Sequence, residues 1–234
     1  SNIYGFLNIL ECCRYNPINH LVFASSSSVY GLNESLPFSE DDHTDHQSSL
    51  YGATKKSNEV MAHSYSNLYS IPSTGLRFFT VYGPWGRPDM ALFIFTKAIF
   101  SNLPIKLFNN GNMIRDFTYI KDIVEGIVRV LKKPPKPTFD FDKINPSPAS
   151  SSSPFKIFNI GNNNPVNLMD YVSALEKAIG KTSIKEFLPM QQGDVYKTMS
   201  NTDKLKEWID FIPHTTVEEG ILNFVDWYRN YYEI

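Results

Sequence analysis

The first part of the chain alternates between helix and strand patterns, and this alternation restricts the fold more than any other feature. Asn2–Tyr15 has apolar residues at helical spacing, and Leu21–Ala24 is a continuous apolar run, which is typical of a strand buried on both faces. A second helix pattern, Tyr51–Tyr69, is followed by a second strand pattern, Thr74–Phe79. Helices and strands in this order predict an α/β fold with a parallel sheet.

The remainder of the chain has a more mixed pattern. It predicts helices at Ala91–Phe100, Ile120–Leu131, Leu168–Ile179 and Val217–Tyr231, and strands at Ile105–Phe108 and Phe155–Ile160. Between two of these elements, residues 133–154 hold six of the fifteen prolines and a four-serine run. Such a composition without periodicity predicts a flexible surface insertion.

The composition restricts the class of protein and its partners. A chain of 234 residues that is 42% hydrophobic can bury a large core, and its net charge of −2 gives no reason to expect nucleic acid or an anionic membrane as a partner. No apolar run is long enough to span a bilayer, and the sequence does not begin with a signal-peptide pattern. The adjacent Cys12 and Cys13 indicate reduced thiols, so we expect a cytoplasmic protein. His43 and His46 lack a third ligand at a suitable spacing, so we predict no metal site.

Tyr51 and Lys55 are candidates for a catalytic pair. At positions i and i+4 of the second predicted helix they share one helix face, with Cβ atoms about 5–6 Å apart. The Lys55 ammonium favours the ionised phenolate of Tyr51, which can then act as a general base for a hydroxyl proton. This spacing is also frequent by chance, so the alternative is a tyrosine packed on its helix and a lysine in solvent.

A serine run favours the catalytic interpretation. Ser25–Ser28 directly follows the first predicted strand. In parallel α/β sheets ligands bind at the carboxyl ends of strands, so these hydroxyls are expected next to a ligand. A serine hydroxyl there can hydrogen-bond the same substrate oxygen that Tyr51 deprotonates.

The sequence has no glycine-rich phosphate-binding turn. No two of its twelve glycines are separated by a single residue, and Gly83-Pro84-Trp85-Gly86 contains a proline and does not lead into a helix. The sequence also begins inside a helix pattern without a strand before it. We therefore expect this chain to lack the first half of a nicotinamide-binding domain and to bind no NAD tightly by itself.

Three segments carry a resemblance to a known family: SSSSVYG, the stretch from YGATKK to RPDMALF, and RDFTYIKDIVEGIVRVL. They resemble the extended short-chain dehydrogenase/reductase family and, within it, the nucleotide-sugar epimerases, most of all the UDP-glucuronate 4-epimerases. The resemblance covers essentially the whole chain, including the 133–154 insertion. Members of this family carry a glycine-rich NAD-binding portion upstream, so the resemblance implies that this chain is a fragment starting near the fourth helix.

The resemblance implies a division into domains. Residues 1–88 are expected to form the C-terminal half of a Rossmann-type NAD-binding domain, with 116–131 and 155–163 packed against them. Residues 89–115 and 164–234 are expected to form a smaller C-terminal α+β domain that binds the nucleotide sugar. The expected fold is thus α/β, with a partial Rossmann-type parallel sheet.

The resemblance also implies roles for the catalytic candidates. Tyr51 would act as base and acid on the sugar 4-hydroxyl, Lys55 would assist it and hold the nicotinamide ribose, and Ser26 would hydrogen-bond the reacting oxygen. Ser25, Tyr51 and Lys55 would contact the NAD cofactor. In this family NAD⁺ takes a hydride from C4, the 4-keto sugar turns over, and the hydride returns to its other face without net oxidation.

Ser27 and Ser28 are expected to contact the substrate, and Ser28 also discriminates between related reactions. In the dehydratases and decarboxylases of this family, a glutamate typically occupies the position that matches Ser28. Serine cannot abstract a proton near neutral pH. Its presence therefore favours simple epimerisation over dehydration and decarboxylation.

Thr80 and Arg87 are expected to surround the C6 carboxylate of a hexuronic acid. The Arg87 guanidinium offers a planar fork that matches a carboxylate. A 4-ketone is β to that carboxylate, and holding the carboxylate away from the perpendicular orientation suppresses loss of CO₂. The alternative for Arg87 is a surface ion pair.

The remaining expected contacts concern the UDP moiety. The resemblance implies that Arg115 contacts the phosphates and that Asp194 meets the ribose. Lys106 and Phe108 are expected on the strand that borders uracil. The expected small-molecule partner is therefore a UDP-sugar.

Three functional hypotheses remain. The first is a UDP-glucuronate 4-epimerase, which Arg87 favours, and the second is a 4-epimerase of the UDP-glucose/galactose type. The third is a truncated, non-catalytic fragment without tight NAD binding, which the missing glycine turn favours. Members of the family usually form homodimers, which implies a dimer through helices 2–15 and 51–69.

Overall fold

The chain divides into two compact units. The computed structural model describes residues 1–191 and 196–234. The first unit comprises Ser1–Phe79, Val124–Gly161 and Ser200–Ile212, and the second comprises Thr80–Ile123, Asn162–Met199 and Pro213–Ile234. Each unit therefore draws on three separate parts of the sequence.

Helices and strands are interspersed along the described residues. In chain order they are α1 (Tyr4–Tyr15), β1 (Leu21–Ser26), α2 (Leu50–Tyr69), β2 (Ser73–Phe78), β3 (Thr80–Tyr82), α3 (Ala91–Phe100), β4 (Pro104–Leu107), β5 (Ile114–Tyr119), α4 (Ile120–Leu131), β6 (Phe155–Ile160), β7 (Pro165–Asn167), α5 (Leu168–Ile179), β8 (Ile184–Phe187), α6 (Asp203–Ile209) and α7 (Val217–Tyr232). Short 3₁₀ turns follow β1 at Ser27–Tyr30 and β4 at Phe108–Gly111. Within the described ranges, no helix is long and apolar enough to cross a membrane.

Three strands of the first unit form a parallel sheet in the order β1-β2-β6. In its register, Leu21 pairs with Ser73, and Ser73 pairs with Phe155. The predicted α/β class with a parallel sheet is thereby confirmed. The prediction that the first strand is buried on both faces is wrong for Ala24, which is exposed because β1 is an edge strand of this sheet.

The core of the first unit receives side chains from helices, strands and the proline- and serine-rich segment. One of its buried apolar clusters comprises Leu10, Phe23, Ala62, Ala149, Phe155 and Ile157. Ala149, which is 5% exposed, accepts a backbone hydrogen bond from the Ile157 N–H at 2.9 Å. Most of residues 133–148 are exposed, as expected of a surface segment, whereas Ala149 is buried because it and Ser150 lie along the neighbouring strand β6.

The second unit combines small sheets with an aromatic core. β3 pairs with β5 in parallel, β5 pairs with β7 antiparallel, and β4 pairs with β8 in parallel. The core side chains include Tyr82, Phe93, Phe117, Tyr171, Phe224 and Tyr228. Among them, the rings of Phe117 and Tyr171 stack with centroids 4.0 Å apart. The short strands are thus held together by rings from α3, α5 and α7.

The predicted helices agree better with the structure than the predicted strands do. α3, α4 and α5 begin and end at the predicted residues, whereas β4 ends at Leu107 instead of Phe108. The sequence patterns missed β3, β5, β7, β8 and α6. β5 was missed because Arg115 and Asp116 interrupt its apolar pattern, and the other missed strands have only three or four residues.

Candidate active site

The serine run continues from β1 into a tight turn. β1 ends at Ser26, and Ser27–Tyr30 form the 3₁₀ turn, called the serine turn below. The Ser26 hydroxyl accepts a hydrogen bond from the Ser28 N–H and donates one to the Ser28 hydroxyl, both at 3.2 Å. Ser26 therefore caps the serine turn, while Ser27 and Ser28 are half-buried.

The N-terminus of α2 lies against the serine turn. Ser49 caps this helix, because its hydroxyl accepts a hydrogen bond from the Gly52 N–H at 3.1 Å. A Cβ atom at Gly52 would lie 2.7 Å from the Ser28 carbonyl oxygen, so only glycine permits this approach without a shift. Tyr51, the residue before Gly52, is therefore carried on the part of α2 that touches the serine turn.

The structure places Tyr51 and Lys55 together on α2. Lys55 Nζ lies 5.9 Å from the centroid of the Tyr51 ring and donates a hydrogen bond to the Ala24 carbonyl at 3.1 Å. Burial lowers the pKa of Lys55 below its ordinary value. Tyr51 is 51% exposed.

An open pocket with a volume of about 270 Å³ lies beside Lys55 in the first unit. Its other lining residues include Gly5, Phe6, Phe23, Ala24 and Asn58. An ammonium group beside a backbone carbonyl can hydrogen-bond the hydroxyls of a ribose, and the aromatic side chains offer an apolar wall. These residues fit the ribose end of a nicotinamide nucleotide.

A buried ion pair that the sequence interpretation missed lies next to the serine turn. Arg77 of β2 is fully buried, and its Nε and Nη2 donate to the two carboxylate oxygens of Glu59 on α2 at 2.9 and 3.0 Å. The Ser25 hydroxyl donates to Glu59 Oε1 at 2.6 Å. Ser25, predicted to contact the cofactor, thus uses its side chain to join β1 to this pair.

The same hydrogen-bond network extends to Tyr30 and Asn159. Arg77 Nη1 donates to the Tyr30 hydroxyl at 3.1 Å, and that hydroxyl donates to Asn159 Oδ1 at 2.6 Å. Burial raises the pKa of Tyr30 to about 12, so this hydroxyl keeps its proton and remains a donor near neutral pH. Asn159 Nδ2 donates to the Phe38 carbonyl at 2.8 Å. Buried hydrogen bonds of this kind hold the strands and α2 in one arrangement.

Two sequence signals could have identified this network. Glu59 follows Lys55 by four residues and therefore lies on the same face of α2. Arg77 is the charged residue of the strand segment STGLRF, whose other residues are uncharged. Because an arginine inside a buried strand requires an acidic partner, its position indicates a pair with Glu59.

In the second unit, Thr80 and Arg115 lie on neighbouring strands. Thr80 of β3 pairs in register with Phe117 of β5, two positions beyond Arg115. Arg115 Nη1 donates to the carbonyl oxygens of Ile114 and Tyr196 at 3.1 and 3.0 Å. The structure therefore brings two of the predicted substrate contacts to one small sheet.

Arg87 forms an ion pair at the surface of the second unit. Its Nε and Nη2 donate to Oδ1 and Oδ2 of Asp89 at 3.1 and 3.0 Å. The two side chains are 73% and 68% exposed. This is the ion pair that the sequence left open as the alternative for Arg87, and the Asp89 carboxylate fills the fork that a substrate carboxylate would need.

The predicted uracil contacts lie near the end of β4. Lys106 is exposed, and Phe108 is half-buried at the start of the 3₁₀ turn that follows. Asp194, the predicted ribose contact, lies outside the described residues. In the part of the chain that the structure describes, no group of three or more His, Cys, Asp or Glu side chains could hold a metal ion.

Comparisons with known proteins cover nearly the whole chain. A model of the NAD dependent epimerase/dehydratase family matches residues 1–142. "Protein CapI" of Staphylococcus aureus is 58% identical and aligns with 100% of this chain and 70% of that protein. The "Probable UDP-glucuronate 4-epimerase" of Rhizobium meliloti (strain 1021) is 48% identical and aligns with 99% and 68% of the two chains. The crystal structure of UDP-glucuronic acid 4-epimerase from Bacillus cereus, in complex with UDP-glucuronic acid and NAD, is 32% identical with a TM-score of 0.85, over 99% of this chain and 68% of that one.

Proposed function

The chain belongs to the NAD-dependent epimerase/dehydratase family, and we propose that it acts in the 4-epimerisation of a UDP-sugar, converting UDP-glucuronate to UDP-galacturonate. The family identified from the sequence motifs is thereby confirmed. The observation that carries the proposed reaction is the placement of Tyr51 and Lys55 on α2, which Gly52 allows to lie against the serine turn.

Tyr51 is the proposed acid and base. With Lys55 Nζ 5.9 Å from its ring centroid, Tyr51 would accept the proton of the sugar 4-hydroxyl. As a phenol, Tyr51 later returns a proton to the 4-oxygen. The Ser26 hydroxyl, which donates to Ser28 in the structure, would turn to hydrogen-bond the same oxygen. The two hydroxyl groups would then hold the 4-oxygen from different elements of the first unit.

NAD is the proposed cofactor, and when bound it supplies reversible hydride transfer at C4. Lys55 would hold the nicotinamide ribose, because its ammonium group borders the open pocket beside β1. Tyr51 and Ser25 are the other proposed contacts. The similar protein from Bacillus cereus was crystallised with NAD, which supports this assignment.

UDP-glucuronate is the proposed substrate. The Bacillus cereus relative was crystallised with UDP-glucuronic acid, and the Rhizobium relative is named a probable UDP-glucuronate 4-epimerase. Serine at position 28, where related dehydratases and decarboxylases carry glutamate, favours epimerisation. Arg87 and Thr80 would receive the C6 carboxylate, with the substrate displacing Asp89 from the Arg87 fork. The further proposed substrate contacts are Ser27, Ser28, Lys106, Phe108, Arg115 and Asp194.

A neutral UDP-hexose is the second candidate substrate. The Arg87–Asp89 pair favours it, because the fork already has a carboxylate partner inside the chain. A neutral sugar would leave that pair intact. Arg87→Met separates the two candidates, since it weakens turnover of a hexuronic acid and leaves turnover of a neutral hexose unchanged.

The two units support the proposed division of labour, in which the first unit serves the cofactor and reaction and the second serves the nucleotide sugar. We also propose a homodimer through α1 and α2. These neighbouring helices expose the large side chains of Tyr4, Ile9 and Leu68. Such apolar groups on adjacent helices are typical of an interface.

Conversion of UDP-glucuronate by the purified protein with added NAD tests the proposed reaction. We expect chromatography to show UDP-galacturonate, and Tyr51→Phe to lower kcat by about 10²–10⁴-fold while UDP-sugar binding remains. Tyr15→Phe, which removes an exposed phenol hydroxyl elsewhere, should leave kcat unchanged. UDP-sugar binding without any conversion would instead favour a non-catalytic fragment.

A further inference from the structure

Trp85 has a backbone conformation that large residues rarely adopt. Its φ is +63°, in the left-handed region, and Gly83 just before it has a φ of +142°. A side chain with a Cβ atom is strained there, whereas glycine is not. A strained residue of this size persists only when its side chain makes compensating contacts, which makes its position a pointer to function.

The Trp85 indole contacts two aromatic rings of α7. Its centroid lies 5.3 Å from that of Trp227 and 5.3 Å from that of Tyr231, and the latter two lie 5.4 Å apart. These separations fall within the favourable range for aromatic pairs. We call Trp85, Trp227 and Tyr231 the aromatic clasp. Trp85 is 74% exposed, whereas Trp227 packs against the core of the second unit, so the clasp connects a surface loop to that core.

Helix α7 provides a fixed base for the clasp. It is anchored by the buried side chains of Ile221, Phe224, Val225 and Tyr228, and the Trp227 ring packs beside that of Phe224 with centroids 5.4 Å apart. Trp227 and Tyr231 are four residues apart and therefore adjacent on the helix surface. The Tyr82 hydroxyl donates to the Thr216 carbonyl at 3.2 Å, which ties the end of β3 to the beginning of the same helix.

Arg87 lies two residues beyond Trp85 in the loop that the clasp holds. The Gly86 N–H donates to the Gly83 carbonyl at 3.2 Å, and the Met90 N–H donates to the Arg87 carbonyl at 3.1 Å. The Arg87 fork is paired with Asp89 in the same loop, so the position of the fork depends on the position of the loop backbone. That backbone continues directly from the residue that α7 anchors.

We propose that Trp85 is a positioning residue that fixes the Arg87 fork and thereby determines the preference for a carboxylate-bearing sugar. The inference rests on the proposed role of Arg87 in binding a hexuronic acid. Trp85 does not touch the substrate in this account. Its ring offsets the strain of its backbone, and loss of the ring releases the loop.

Binding of UDP-glucuronate and UDP-glucose, measured by calorimetry on the purified protein, tests the consequence for specificity. We expect Trp85→Ala to weaken binding of UDP-glucuronate about tenfold and that of UDP-glucose less than about twofold, since only the charged contact is lost. Trp85→Phe keeps a ring and should restore most of the preference. Phe139→Ala, which removes a fully exposed ring from the first unit, is the control and should change neither affinity.

The double variant Trp85→Ala with Arg87→Met tests whether the two residues act together. If Trp85 acts only through Arg87, the double variant should bind UDP-glucuronate as weakly as Arg87→Met alone. Additive losses would overturn the proposal. Trp85→Gly removes the ring together with the backbone strain, so wild-type preference in this variant would also overturn it.

Hydrogen exchange gives a reading that does not depend on the ligand. Trp85→Ala should accelerate exchange of the Gly86 and Met90 amides and leave the amides of α7 unchanged. Unchanged exchange in the loop would overturn the proposal. If the unaltered protein bound both sugars equally, the proposed substrate would be wrong. The amide hydrogen exchange of Trp85→Ala would still decide whether the clasp holds the loop.

Discussion

The buried network next to the serine turn of the first unit and the Arg87 loop of the second unit hold their polar side chains in opposite ways. Ser25 donates to Glu59, which is paired with the fully buried Arg77. Arg87 pairs with Asp89 at the surface, and both side chains are mostly in solvent. One region therefore has charged groups without access to water, and the other has charged groups that water can screen.

This difference indicates what each region can do. A buried network has few alternative arrangements, so it suits the fixed geometry that proton transfer between Tyr51 and a sugar oxygen requires. A solvent-exposed arginine can exchange one carboxylate partner for another at small cost. Arg87 would therefore release Asp89 to bind the carboxylate of the proposed substrate. We infer that the packing of the buried network fixes the proposed reaction geometry. We infer that the exposed Arg87–Asp89 pair, which can exchange its partner, determines the proposed choice of substrate.

The largest expected difference between the two regions is in stability. Arg77→Met leaves the Glu59 carboxylate buried without its partner, so we expect the free energy of unfolding to fall by about 3–5 kcal/mol. Arg87→Met removes a solvent-exposed pair and should change it by about 0–1 kcal/mol. Urea unfolding followed by circular dichroism measures both values. Equal losses in the two variants would contradict the comparison.

A paired replacement sharpens this result. Glu59→Leu combined with Arg77→Met removes both charges, so neither member of the pair remains as a buried charge without the other. We expect the double variant to recover part of the stability that Arg77→Met loses. A double variant less stable than the sum of the two single variants would show that the ion pair is not the source of the effect.

A smaller effect is expected where α2 approaches the serine turn. Gly52→Ala places a Cβ atom 2.7 Å from the Ser28 carbonyl oxygen, so α2 must shift. We expect a loss of about 1–3 kcal/mol in the free energy of unfolding, together with lower turnover because Tyr51 moves with the helix. Gly5→Ala in α1 is the matched control, since no atom lies within 4 Å of the new Cβ. The free energy of unfolding of Gly5→Ala should be unchanged or higher by up to about 1 kcal/mol.

The sequence predicted the helices and the first sheet because their signals are local. α3, α4 and α5 have apolar residues at regular spacing, and β6 is a continuous apolar run. Tyr51 and Lys55 could be paired from their spacing alone, since both lie on one helix. The predicted residues of the second unit were reached through family motifs, and their roles stay predictions.

The parts that were missed depend on contacts between distant residues. Glu59 and Arg77 lie on different elements, so the glutamate on α2 and the arginine in the strand pattern indicate a pair only when the two elements are considered together. Trp85 and Trp227 are separated by most of the second unit, and no local pattern indicates that their rings meet. Ala149 is buried because it lies along β6, and the proline- and serine-rich composition of residues 133–154 does not indicate this contact.

The smallest expected effect concerns the pH dependence of stability in the first unit. Glu40 is fully buried and accepts a hydrogen bond from the Asn159 N–H at 2.9 Å, and burial raises its pKa above the ordinary value of 4.5 although Lys204 and Arg77 oppose the shift. Between the ordinary and the raised pKa, the folded protein binds more protons than the unfolded chain, so stability falls as the pH rises through this window.

Glu40→Gln tests that pH dependence. Because the amide does not ionise, the stability of this variant relative to the unaltered protein should increase as the pH rises from 4.5 to the raised pKa, and should then stay constant. Thermal unfolding on both sides of the window measures the difference. Glu34→Gln, which changes an exposed carboxylate of the same loop, should show no such trend. A constant difference for Glu40→Gln would mean that Glu40 does not carry the effect.

The most direct test is the ratio of kcat/KM for UDP-glucuronate to kcat/KM for UDP-glucose in the NAD-supplemented protein and two variants. Ser26→Ala should lower kcat by a similar factor for both sugars, because it removes the proposed hydrogen bond to the reacting oxygen, which both sugars have. Arg87→Met should reduce the ratio about tenfold or more while the value for UDP-glucose stays the same. The account predicts that the serine residue serves the reaction and that Arg87 selects the substrate. An unchanged ratio in Arg87→Met, or a changed ratio in Ser26→Ala, would contradict it.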